Sequence, residues 1–130
     1  LTDIYIIIYI YSVFQPDKDT MKAVPITNTD RADVLRMTWA LMREAKIKFA
    51  DALKRAWTTV RMKIQMSYKA VGFFYRKENG EVRYALGYNA AAPRPATDKP
   101  ATKPGPLVVR YYDLTCDNWR SFRADRLIID

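Results

Sequence analysis

The chain has no histidine and only one cysteine, Cys116, in 130 residues. The first absence removes the side chain that most often moves protons near neutral pH. Together the two exclude a zinc site built on His and Cys, and a lone cysteine closes no disulfide within the chain. A reducing, cytoplasmic setting is the expectation. Glycine is scarce at four residues, and no Gly-rich phosphate loop, nucleophile elbow or metal-ligand spacing occurs. Asp113 and Asp125 form a carboxylate pair, but spacing alone gives a metal there little weight. The sequence therefore predicts a non-enzyme without metal or cofactor.

Charge of one sign is in excess. Lysine and arginine number 22 against 14 acidic residues, for a net charge of +8 and a pI near 9.7. That balance points to a polyanion such as nucleic acid as partner, with simple solubility as the plainer use of the charge. Length predicts one domain with a short appended unit.

Residues 1–20 read as foreign to the rest. Ile4 to Tyr11 is apolar but too short to span a bilayer as a helix, and lacks the flanks of a signal peptide, so no membrane partner is expected. Met21 reads as a natural start, which makes 1–20 a non-native or disordered extension; an extra strand is the alternative. Residues 21–69 form a helical unit. Thr29 or Asp30 can cap the first helix, and Val34, Leu35, Leu41, Met42 and Ala45 share one side. No Gly or Pro interrupts the stretch from Asp30 to Ala70, so one long helix is sterically allowed. The apolar stripe shifts at Ile47-Lys48-Phe49, however, which favours two helices with a tight turn near 46–48. The basic outer face invites a helix-turn-helix reading. Against it, the turn lacks glycine and the second helix lacks a good cap; the favoured alternative packs Trp39, Trp57 and Leu53 against a sheet.

From residue 70 the period becomes two. Residues 71–76 and 81–88 read as strands around a turn ending in the favoured Asn79-Gly80. Residues 89–106 hold five of the seven prolines and read as a mobile loop. A second hairpin follows, with strands in 107–114 and 119–127 around Thr115-Cys116-Asp117-Asn118. The segment 126–129 is expected to add a short fifth strand. The fold class is thus α+β, a helical pair packed on a five-stranded antiparallel barrel of SH3 or Sm type over 70–130.

The last hairpin carries the candidate site. Alternation sends Trp119, Ser121 and Arg123 one way and Arg120, Phe122 and Ala124 the other, so arginine lies on both faces with aromatics beside it. Such a surface suits an anion with a flat ring attached. Guanidinium groups fork onto phosphate and stack on bases, and phenol or indole rings offer π-faces. Arg120, Arg123 and Arg126 are the candidate contacts, with Arg83 from the neighbouring hairpin and Tyr111 as stacking platform. The plainer reading pairs Arg123 or Arg126 with Asp113, Asp117 or Asp125 and buries Phe122 and Trp119.

Three pieces carry a family resemblance: residues 74–83 (FYRKENGEVR), 110–114 (RYYDL) and 119–127 (WRSFRADRL). They resemble WYL-type domains, bacterial regulatory modules with an Sm-like, SH3-type barrel. Residues 30–130 as a whole look like a compact WYL-related family of small bacterial and phage proteins in which helices precede the barrel. The run from Arg120 to Leu127 fits the closing pattern Arg-x-Phe-Arg-x-Asp-Arg-aliphatic. The WYL tripeptide itself is replaced by Tyr111-Tyr112-Asp113-Leu114. The resemblance implies regulatory binding of nucleic acid or a nucleotide-like ligand, commonly in defence or mobile-element settings, with DNA and RNA left open. A protein-interaction adaptor using the barrel groove or the helical face is the alternative, and self-association is compatible with either.

Overall fold

In a computed structural model, the structure describes residues 26–90, 92 and 104–129. The expectations for residues 1–20, for a start at Met21 and for most of the proline-rich loop fall outside these residues.

Helix α1 runs Asn28–Glu44. It begins earlier than the sequence pattern predicts, because Thr27 is the cap. The Thr27 hydroxyl accepts from the Asp30 N–H at 3.1 Å, and the Asp30 carboxylate accepts from the Thr27 N–H at 2.9 Å. This is a capping box with Asp in place of the usual Glu or Gln. The helix ends at Ala45, and Lys46 turns the chain at φ 58°. A lysine in that left-handed region costs about 1 kcal/mol, which glycine would avoid. Helix α2 then spans Phe49–Met66, and its N-cap Lys48 makes no side-chain capping bond. Two helices with a turn near 46–48 are what the shifted apolar stripe implied.

Four strands follow: β1 Val71–Arg76, β2 Val82–Gly87, β3 Val108–Asp113 and β4 Asn118–Arg123. They form one antiparallel sheet in the order β1-β2-β3-β4. The first hairpin turns at Gly80 (φ 89°), the position that needs glycine. The strand pair β1–β2 keeps register from Val71 opposite Gly87 to Arg76 opposite Val82. In β3–β4 the register runs from Val108 opposite Arg123 to Asp113 opposite Asn118.

The fifth strand expected at 126–129 does not form. After β4 a 3-10 turn, Ala124–Arg126, redirects the chain, and Leu127 makes a single bridge to Tyr75 of β1. The Ile128 N–H also donates to the Phe74 carbonyl at 3.0 Å. Among the described residues the sheet is four-stranded, because pairing along β1 stops at this one bridge and one hydrogen bond.

The core lies between the helical pair and the inward face of the sheet. Val34, Ala40 and Leu41 of α1 and Ala52, Ala56 and Val60 of α2 are buried with Phe73, Tyr75, Val109, Tyr111 and Phe122. The small alanines of α2 let its axis approach closely. Gly87 serves the same end: a Cβ there would overlap the buried Met66 sulfur at the end of α2. Leu53 and Trp57 pack against this core, but Trp39 does not, being 57% exposed. On α1 the inward stripe is Val34, Met37 and Leu41, which leaves Leu35 and Trp39 facing away. Among the described residues no helix is long and apolar enough to cross a membrane.

Arg55 joins the helical half to the end of the chain. Its Nη1 donates to the carbonyls of Ala124 and Leu127, at 3.2 and 2.5 Å. These acceptors lie just where the missing fifth strand would have left them without a ladder partner.

Candidate functional site

A cleft of about 530 Å³ opens between the β1–β2 turn and the end of β4. Its apolar wall is Tyr75, Val108 and Phe122. Five cationic side chains line it, Arg76, Lys77, Arg83, Arg123 and Arg126, against a single carboxylate, Glu78.

The local backbone explains this gathering. Arg76 and Lys77 leave β1 as it enters the tight turn, so both stand at the rim. Arg83 lies opposite Tyr75 in the β1–β2 register and therefore shares its face. Its Nη1 donates to the Tyr75 hydroxyl at 3.3 Å. That hydroxyl is 2.9 Å from the Tyr111 hydroxyl, so two buried phenols hold one edge of the Arg83 fork. Arg123, the last residue of β4, gives its Nε to Asp125 at 3.0 Å. This bond is the main reason its pKa is raised, with the charges of Asp125 and Glu44 adding to it. Arg126 makes no hydrogen bond or ion pair with another described residue. Among the described residues Arg76 reaches only the Gly80 carbonyl, at 3.3 Å, and Lys77 pairs with Glu81 at 3.5 Å. A guanidinium has five N–H donors, so Arg83 and Arg123 keep several for a guest. Like charges crowded around one cleft repel, and an anion placed among them relieves that repulsion.

Of the expected site residues, the structure brings Arg83, Arg123 and Arg126 together. It places the other two elsewhere. Tyr111 is 0% exposed, packed edge-on against Phe73 at 5.1 Å and Phe122 at 5.8 Å. It cannot serve as a stacking platform, because alternation on β3 sends Val109, Tyr111 and Asp113 inward together. Arg120 also points inward, opposite Tyr111, toward the far end of β4. Its Nε donates to Cys116 Sγ at 3.0 Å and lies 3.7 Å from the Asp113 carboxylate, which is itself 1% exposed. The Cys116 contact is the largest cause of its raised pKa. Arg120 thus neutralises a buried acid and lies apart from the cleft.

Sequence reasoning passed over Arg76 and Lys77. The signal was present, since both flank the turn of the very hairpin that carries Arg83.

A match to the family model WYL_2, described as an Sm-like SH3 beta-barrel fold, covers residues 59–128. The chain belongs to the WYL_2 family. Every residue lining the cleft falls inside the matched segment, whereas α1 and the first turns of α2 precede it. Searches of curated proteins and of solved structures returned no match to this WYL_2 chain.

The buried Tyr111 phenol gives the domain a pH dependence. Burial, reinforced by the Tyr75 hydrogen bond, pushes the Tyr111 phenol well above its ordinary value of 10.0. A group whose pKa is raised by folding lends its stability fully below the unfolded value and loses it as pH climbs above. Unfolding free energy should therefore hold up to about pH 10 and then fall by about 1.4 kcal/mol per pH unit. Urea titrations across that range check this, and Tyr111→Phe should flatten the alkaline slope.

Proposed function

We propose that this WYL_2 chain is a non-enzymatic regulatory module that binds nucleic acid or a nucleotide-like ligand through the cleft lined by Arg83, Arg123 and Arg126. One observation carries the reading: five cations and one carboxylate surround a single cleft with an aromatic wall. Arginine forks fit phosphate oxygens, and the Phe122 and Tyr75 side of the cleft provides an apolar surface beside them. The cleft lies wholly within the family-matched segment, so its residues belong to the part of the chain that defines the WYL_2 fold.

Fluorescence anisotropy with labelled single-stranded DNA, duplex DNA and RNA tests it. With about five phosphates neutralised, counterion release predicts roughly a hundredfold loss of affinity for a single strand between about 50 and 200 mM salt. Absence of binding to all three at the lower salt defeats the proposal.

The adaptor alternative has its own observation. Leu35, Trp39 and Phe49 are exposed on the helical half, at 51%, 57% and 48%. A co-purifying polypeptide held in a salt-tolerant way would favour it.

A further inference from the structure

A second groove, of about 730 Å³, lies between α1, α2 and residues 104–106. Val108 lines both this groove and the arginine cleft, so the two adjoin on one face of the molecule. The groove is also basic. Arg43 and Lys63 line it and make no hydrogen bond or ion pair with another described residue, while Arg36 is held by Asp33 at 2.8 Å. Beside them stands Trp39, whose only ring neighbour among the described residues is Phe49 at a centroid distance of 6.3 Å.

Resting on the nucleic-acid reading of the cleft, we propose that its ligand is a single strand, not an isolated nucleotide. The strand leaves the arginine cleft, passes Val108 and enters the helical groove, where Arg43 and Lys63 meet its backbone and a base stacks on Trp39. A mononucleotide would fill the cleft and leave this indole bare. An unpaired strand offers both what the groove has places for: regularly spaced phosphates and free base faces. A duplex hides those faces and has no use for the indole. Glu78 in the cleft and Asp33 in the groove are the carboxylates that line the path.

The test compares labelled oligothymidylates of about 3 and about 12 nucleotides on the full chain. The longer should bind at least tenfold more tightly and quench tryptophan fluorescence. Trp39→Ala should abolish most of the quenching and bring the affinity of the long strand down to that of the short one. That residue is exposed, so an unchanged melting curve is expected for the variant. Glu78→Gln, which removes the one carboxylate lining the cleft, should raise affinity for both lengths about two- to fivefold, a gain that loss of packing does not produce. Equal affinity for both lengths with Trp39→Ala unaffected overturns the path and leaves the cleft reading intact. Binding to neither length overturns both. A poly-glutamate peptide that binds as tightly as the long strand, and quenches as strongly, makes the groove an acidic-polypeptide site and overturns the strand.

Discussion

The paired substitution Arg83→Ala with Arg126→Ala should weaken oligonucleotide binding about a hundredfold or more at fixed salt. Each guanidinium that meets a phosphate contributes a charge-assisted hydrogen bond worth about 1.5–3 kcal/mol, and two such losses together exceed a factor of one hundred. Stability should change by only about 1 kcal/mol, since Arg126 has no partner among the described residues and Arg83 gives a single 3.3 Å bond to Tyr75. The salt dependence should also become shallower, because fewer counterions are released. Anisotropy titrations at two salt concentrations, alongside a urea unfolding curve, read both effects. Unchanged affinity in the double variant would remove the cleft from any account of binding.

Asp113→Ala should have the opposite profile: a large loss of stability, about 3 kcal/mol or more, from a residue that no ligand reaches. The carboxylate is buried and accepts from the Thr115 N–H at 2.9 Å, the Thr115 hydroxyl at 2.7 Å and the Leu86 N–H at 3.4 Å. It also faces Arg120. Alanine would leave two backbone donors unanswered and the arginine without its counter-charge. Asp113→Asn keeps an acceptor and should cost about half as much. Thermal melts check the pair, with a fall of roughly 10–20 °C expected for the alanine variant. Arg120→Ala should resemble Asp113→Ala in kind, lowering stability while sparing affinity. Together with Arg126→Ala it separates the two uses this hairpin makes of arginine.

That separation marks where the sequence was readable and where it was not. Phe73 and Tyr75 alternating with Phe74 and Arg76 announced β1, and Asn79-Gly80 announced the turn after it, because both signals are local. The break between helices showed in the step from Ala45 to Phe49 for the same reason. Alternation on β4 correctly divided Arg120 from Arg123. It could not say which side would be solvent, since that depends on how the sheet curls and what covers it. Tyr111 was misjudged on this account: an aromatic residue in a half-polar strand reads equally well as platform or core. Only the packing of Phe73, Tyr75 and Phe122 around it decides. The fifth strand was misjudged because residues 124–126 carry no strong turn signature. Their turn is stabilised by Arg55, about 70 residues upstream, and no local pattern reveals such a partner.

The Arg55 contact also bears on what can be separated from what. The stretch that defines the family begins at Thr59, four residues past this arginine. Cut there, the sheet would lose the guanidinium that ties down the Ala124 and Leu127 carbonyls, and with it Ala52, Ala56 and all of α1 from the core. The matched segment is therefore smaller than the packed core it belongs to. Grafted alone onto another protein, the matched segment would need a new helix to stand where Arg55 now stands.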